Sequence, residues 1–110
     1  MNIIDINSIK TPGQEVATFQ GVEHGANVSF FIVHFSPGKG PKKHRHPYEE
    51  TFIILEGEIE AIVDGETKTL SENNIVIVPA GAWHEFKNRT DRQAFMINIH
   101  PVPEMVTEWA

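Results

Sequence analysis

The run His44-Arg-His46-Pro-Tyr-Glu-Glu50-Thr-Phe-Ile-Ile-Leu-Glu-Gly57 decides both scaffold and chemistry. Successive side chains of an extended segment alternate between two faces. His44, His46 and Glu50 share one parity and converge on a single point, whereas Glu49 has the opposite parity and points away. The run continues into residues 51–55, a short β-branched and aromatic segment closed by Glu56-Gly57. A candidate ligand set therefore leads into a strand, not a helix.

Outward from that run the punctuation is that of a β protein. Residues 28–35 are β-branched and aromatic and stop at Ser36-Pro37-Gly38, while residues 58–63 alternate. Asp64-Gly65 is a two-residue hairpin signal because both positions tolerate positive φ. Residues 66–70 return, Asn73-Asn74 turns the chain, and residues 75–78, 84–88 and 93–100 complete the set. Their spacing of roughly 8–12 residues is that of a sandwich or small barrel. No segment before residue 100 keeps a period of 3.6 residues. Residues 1–27 are expected to carry edge strands around 3–6 and 16–19. In the tail, residues 101–110, Pro103 and Glu104 suit a first helical turn that would put Met105, Val106 and Trp109 on one face. The expected architecture is all-β, one domain over residues 1–110, with a short C-terminal helical turn.

The 110 residues carry 9 Lys and Arg against 15 Asp and Glu, a net charge of −6. That balance argues against nucleic acid, whose binding draws on cations to neutralise phosphates. With no cysteine, disulfide scaffolds, thiol nucleophiles and zinc ribbons are excluded. The N-terminus has neither a basic start nor a long apolar run, and no window approaches the ~20 apolar residues of a membrane span. A cytoplasmic protein with no membrane partner is expected.

His84 opens a later strand after Pro79-Ala80-Gly81 and joins His44, His46 and Glu50 in an N3O1 set suited to a first-row divalent ion. The bland alternative is a polar barrel interior without metal, in which three buried imidazoles and a carboxylate need other partners. The spacings Gly38-x5-His44-x-His46-x3-Glu50-x6-Gly57 and Pro79-x-Gly81-x2-His84-x3-Asn88 resemble the two cupin motifs. One position departs: Asn73 stands where the family has glycine ahead of Pro79, and Asn accepts the positive φ of that turn. The resemblance covers roughly residues 28–100 and points to small, single-domain, quercetinase-like cupins. It implies a double-stranded β-helix, a jelly-roll barrel of two antiparallel sheets, with one divalent metal per chain on His44, His46, Glu50 and His84. Four protein ligands close a tetrahedral zinc site, but on a six-coordinate ion they leave two positions open. That favours iron, manganese or nickel over zinc or copper. The implied activity is a dioxygenase whose small organic substrate chelates through an enolate or hydroxyl and gives its proton to Glu50. The alternatives are isomerase, cyclase or lyase chemistry with the metal as Lewis acid, and a non-catalytic small-ligand binder.

Parity assigns further residues to the ligand side of the barrel. Phe52, Ile54, Phe86 and Met96 are core or pocket wall, Asn88 could orient His84 or a substrate, and Asn98 shares the face of Met96. His34 and His100 end strands and are candidates for an acid or base beside the ligands. His24 reads as a surface loop residue. Lys39, Lys42, Lys43 and Arg45 cluster beside the first two ligands. The default for such a cluster is a solvated loop; the sharper interpretation is a basic lip that draws in an anionic substrate. Exposed sheet edges, the apolar N-terminal stretch and the tail point to a homodimer, unless the tail folds back on its own barrel.

Overall fold

In a computed structural model, which describes residues 1–10 and 15–110, strands form where the alternation places them. Along the chain they are β1 (Val16–Phe19), β2 (Ser29–Phe35), β3 (His44–Arg45), β4 (Glu50–Glu56) and β5 (Glu58–Val63). These are followed by β6 (Glu66–Ser71), β7 (Ile75–Val78), β8 (His84–Lys87), β9 (Ala94–His100) and β10 (Glu108–Trp109). They make two five-stranded antiparallel sheets, ordered β1-β2-β9-β4-β7 and β10-β3-β8-β5-β6. From β2 onward almost every connection crosses from one sheet to the other, which winds the chain into the expected all-β barrel. The exception is the β5–β6 hairpin, where Asp64 (φ 47°) and Gly65 (φ 82°) supply the turn read from the sequence.

The inner faces of the two sheets form one core. Phe52, Ile54, Ile59, Val78 and Met96 are fully buried in it, with Phe52 and Phe86 rings 5.0 Å apart. Burying each such side chain contributes about 1.5–3 kcal/mol. Gly57 marks a close approach: at φ 78°, a Cβ there would stand 2.8 Å from the Gln93 carbonyl oxygen. Asn73 takes φ 70°, so its turn survives without glycine.

Two expectations about the ends are corrected. Residues 3–6 form no strand; a 3-10 turn over Ile6–Ser8 is capped by Asp5, whose side chain accepts the Asn7 N–H at 2.8 Å. That local bond outcompetes the β propensity of the isoleucines. Val16–Phe19 is a strand as expected, and residues 11–14 of the same N-terminal stretch lie outside the described residues. The tail is not helical. Residues 101–104, with Pro101 and Pro103 among them, form bends, and a segment this short cannot nucleate a helix alone. Its donors find barrel partners instead: Met105 N–H to Gln20 Oε1 at 2.8 Å, Ala110 N–H to the Lys43 carbonyl at 3.1 Å, and β10 on β3.

This topology brings the ligand candidates to one end of the barrel. His44 pairs with His84 across β3 and β8, Glu50 opens β4 opposite Val78, and His100 closes β9.

Candidate metal centre

His44, His46, Glu50 and His84 are all buried, and one potential ligand atom from each lies within 4.8 Å of the others. Each imidazole is held from behind. Nδ1 faces a backbone carbonyl in every case: Lys42 for His44 (2.7 Å), Val106 for His46 (2.8 Å) and Ala82 for His84 (2.8 Å). A carbonyl only accepts, so each Nδ1 carries the proton and each Nε2 turns its lone pair to the centre. Glu50 Oε1 lies 3.1 Å from Nε2 of both His46 and His84. His46 Nε2 is buried without an aligned hydrogen bond. Lone pairs facing a carboxylate in a dry site call for a cation between them, so the residues present fit one metal ion.

The electrostatics agree. Burial alone would raise the Glu50 carboxyl, but the imidazoles of His100, His46 and His84 that face its oxygens outweigh it and hold the group well below its ordinary range. Burial lowers His44. At His46 burial acts the same way, yet the Glu50 contact and the Val106 carbonyl carry the net shift upward.

Parity is confirmed at Glu49, which is exposed. His100, fully buried, places Nε2 3.0 Å from Glu50 Oε2 and Nδ1 2.6 Å from the Tyr48 hydroxyl, which also accepts the Val106 N–H at 3.1 Å. Burial raises the Tyr48 phenol. Sequence reasoning passed over Tyr48, although residues 44, 46, 48 and 50 share one parity. It also missed the tail, whose Val106 backbone touches both His46 and Tyr48 and whose Trp109 ring lies 5.0 Å from His44.

Beside the donors opens a cavity of about 160 Å³, into which His44, His46 and Glu50 face. Its walls are largely apolar, with Phe31, Phe35, Phe86, Val33 and Trp109. Of the pocket candidates, Phe86 and Asn98 line it, and Asn98 Oδ1 is buried with no partner among the described residues. Phe52, Ile54 and Met96 belong to the packed core, further along the barrel. Asn88 does not orient His84; its amide donates to the Phe35 and Arg92 carbonyls at 2.9 and 2.7 Å and ties a loop. His34 faces outward, stacked on Phe95 at 4.2 Å, because it pairs with the outward parity of β9. His24 is half-buried and stacks on Phe19. Lys39, Lys42 and Lys43 are exposed and none lines the cavity, while Arg45 is engaged by Glu108 at 2.7 Å and by the Trp83 ring. The cluster is a solvated loop.

Known proteins are similar to this chain. The chain is 31% identical over 101 residues to polyketide synthase CurC of Streptomyces cyaneus, covering 86% of this chain and 66% of that one. It is 30% identical over 83 residues to quercetin 2,3-dioxygenase of Bacillus subtilis (strain 168), covering 73% of this chain and 25% of that one. This chain therefore spans less than two thirds of either relative. Among solved structures, oxalate decarboxylase of Lactobacillus farciminis superposes with a TM-score of 0.81 at 20% identity, over 94% of this chain and 34% of that one, a likeness of fold. The family described as the cupin domain matches residues 31–100, a span that runs from within β2 to the end of β9 and includes all four donors, and on that match the chain belongs to the cupin family.

Proposed function

We propose that the protein is a metal-dependent dioxygenase acting on a small hydroxylated aromatic molecule. The observation that carries this proposal is that the donor set opens onto an apolar, aromatic-walled cavity instead of packed protein. Its similarity to quercetin 2,3-dioxygenase supports the same reaction class. His44, His46, His84 and Glu50 would hold the ion, which when bound supplies Lewis acidity, two further coordination positions and, for iron, manganese or nickel, redox partnership with dioxygen. The chain's own residues do the rest. Phe31, Phe35, Phe86 and Trp109 hold the ring and exclude water. Asn98 Oδ1, partnerless among the described residues, accepts a hydrogen bond from a substrate hydroxyl. Glu50, kept ionised, takes the proton a substrate hydroxyl gives up, and His100, with Nε2 3.0 Å from Oε2 and the Tyr48 hydroxyl 2.6 Å from its Nδ1, stands next in line to receive it.

An oxygen electrode tests the proposal. Protein loaded with iron, manganese or nickel and given a flavonol or another hydroxylated aromatic should consume oxygen in step with substrate, and Glu50→Ala should abolish the uptake. Substrate conversion without uptake would instead favour Lewis-acid chemistry. Binding without conversion would leave only a ligand-binding cupin.

A further inference from the structure

We propose that Trp109 sets the size of the molecule the cavity admits, one aromatic ring and not two fused ones, a limit that rests on the metal-dependent function proposed above and narrows its substrate. The register fixes where this side chain goes. Residues directly opposite one another in an antiparallel pair share one face of the sheet. Trp109 stands opposite His44 across β10 and β3, and His44 stands opposite His84 across β3 and β8. The indole therefore lies on the ligand side of the barrel, in one row with two of the four donors. Its ring centroid is 5.0 Å from that of His44, with the planes 43° apart, and it forms a wall of the cavity.

Folding alone does not account for an indole at this position. Trp109 is 61% exposed and is no part of the packed core. Other bonds seat the tail. Glu108, of opposite parity, reaches Arg45 at 2.7 Å on the outside, the Ala110 N–H donates to the Lys43 carbonyl at 3.1 Å, and Val106 meets His46 and Tyr48. The indole is thus free to serve the cavity, with one part of its surface turned inward and the rest toward solvent. The space it bounds measures about 160 Å³. A dry apolar cavity of ~150 Å³ holds one benzene ring, so there is no room for a second fused ring. Phe31, Phe35 and Phe86 on the other walls come from β2 and β8, whose places are set by pairing within the sheets. The two-residue edge strand β10 is the side on which one substitution makes room. Asn98 Oδ1, buried and without a partner among the described residues, takes a second hydroxyl of the ring, which makes a diol the suitable probe.

The test is calorimetric titration of manganese-loaded protein, without oxygen, with hydroquinone and with naphthalene-2,6-diol. Buried area alone favours the larger diol, so the opposite order reads the wall. The wild type should bind hydroquinone at least about tenfold more tightly than naphthalene-2,6-diol. Trp109→Ala should reverse that order, tightening the two-ring diol about tenfold and weakening hydroquinone, whereas Trp109→Phe, which keeps a ring, should preserve the wild-type order. Manganese affinity should be unchanged in both variants, because Val106 still holds His46. Should it fall, Trp109→Val, with the higher β propensity, takes the place of the alanine variant. A wild type that binds the two-ring diol as tightly as hydroquinone, no binding of hydroquinone, or a Trp109→Ala variant in which both affinities fall together would overturn the proposal. The predicted order with no oxygen uptake once air is admitted would leave the wall standing and sink the dioxygenase function. Uptake that is indifferent to the number of rings would do the reverse.

Discussion

At Glu50 a buried carboxylate has imidazole nitrogens within 3.1 Å of both oxygens, and those contacts overcome burial to keep it ionised. The sign of its pH effect follows. A carboxyl held below its ordinary value of 4.5 lends stability that is fully present above that pH and is lost as the pH falls through and below it. Glu50→Gln in chelator-treated protein is therefore expected to flatten the acid limb of the stability profile below pH 4.5, measured by urea denaturation at several pH values. An unaltered limb would contradict the Glu50 geometry. The neighbouring carboxylate behaves differently: exposed Glu49→Ala should cost no more than about 0.5 kcal/mol and keep the metal. Tyr48→Phe removes a hydroxyl that meets His100 Nδ1 and the Val106 N–H, and should cost about 1–2 kcal/mol in the same assay. Parity made Glu50 and Glu49 legible in the sequence, and Tyr48 was legible by the same rule. Asn88 was not, because its partners, the Phe35 and Arg92 carbonyls, are set by a loop whose path no periodicity records.

Among the elements, the strands of the barrel could be read because each carries its own alternation and its own turn residues. β5 runs over the same residues the pattern marked, 58–63. The tail escaped because β10 exists only through pairing with β3, some sixty residues earlier, and nothing local in Glu108-Trp109 announces it. Its Val106 carbonyl nonetheless fixes the His46 tautomer. Deleting residues 105–110 should weaken metal binding about 10–100-fold, as loss of a ligand-orienting partner does. Competition against a chelator would measure it, and unchanged affinity would show that the barrel alone orients His46. Gly57→Ala, forced to positive φ against the Gln93 carbonyl, should lower stability by at least about 1 kcal/mol, read as a shift in the urea midpoint.

For the whole molecule, parity told inside from outside but not height along the barrel. Phe52, Ile54 and Met96 therefore shared a face with the ligands yet lie in the packed core, while Phe86 and Asn98 reach the cavity. Charge at this scale is a matter of where the cations sit. With Lys42 and Lys43 outside the cavity, replacing both with Ser should leave the salt dependence of substrate turnover unchanged. A flattened dependence would restore the basic lip. The central claim is that one divalent ion is held jointly by His44, His46, Glu50 and His84. Elemental analysis of tag-free protein purified without chelator, alongside Glu50→Ala and His84→Ala, tests it most directly. Close to one equivalent of metal per wild-type chain, lost in both variants with a lower melting temperature, is the predicted result. Wild-type occupancy that stays far below one equivalent even after incubation with iron, manganese, nickel, copper or zinc would contradict it.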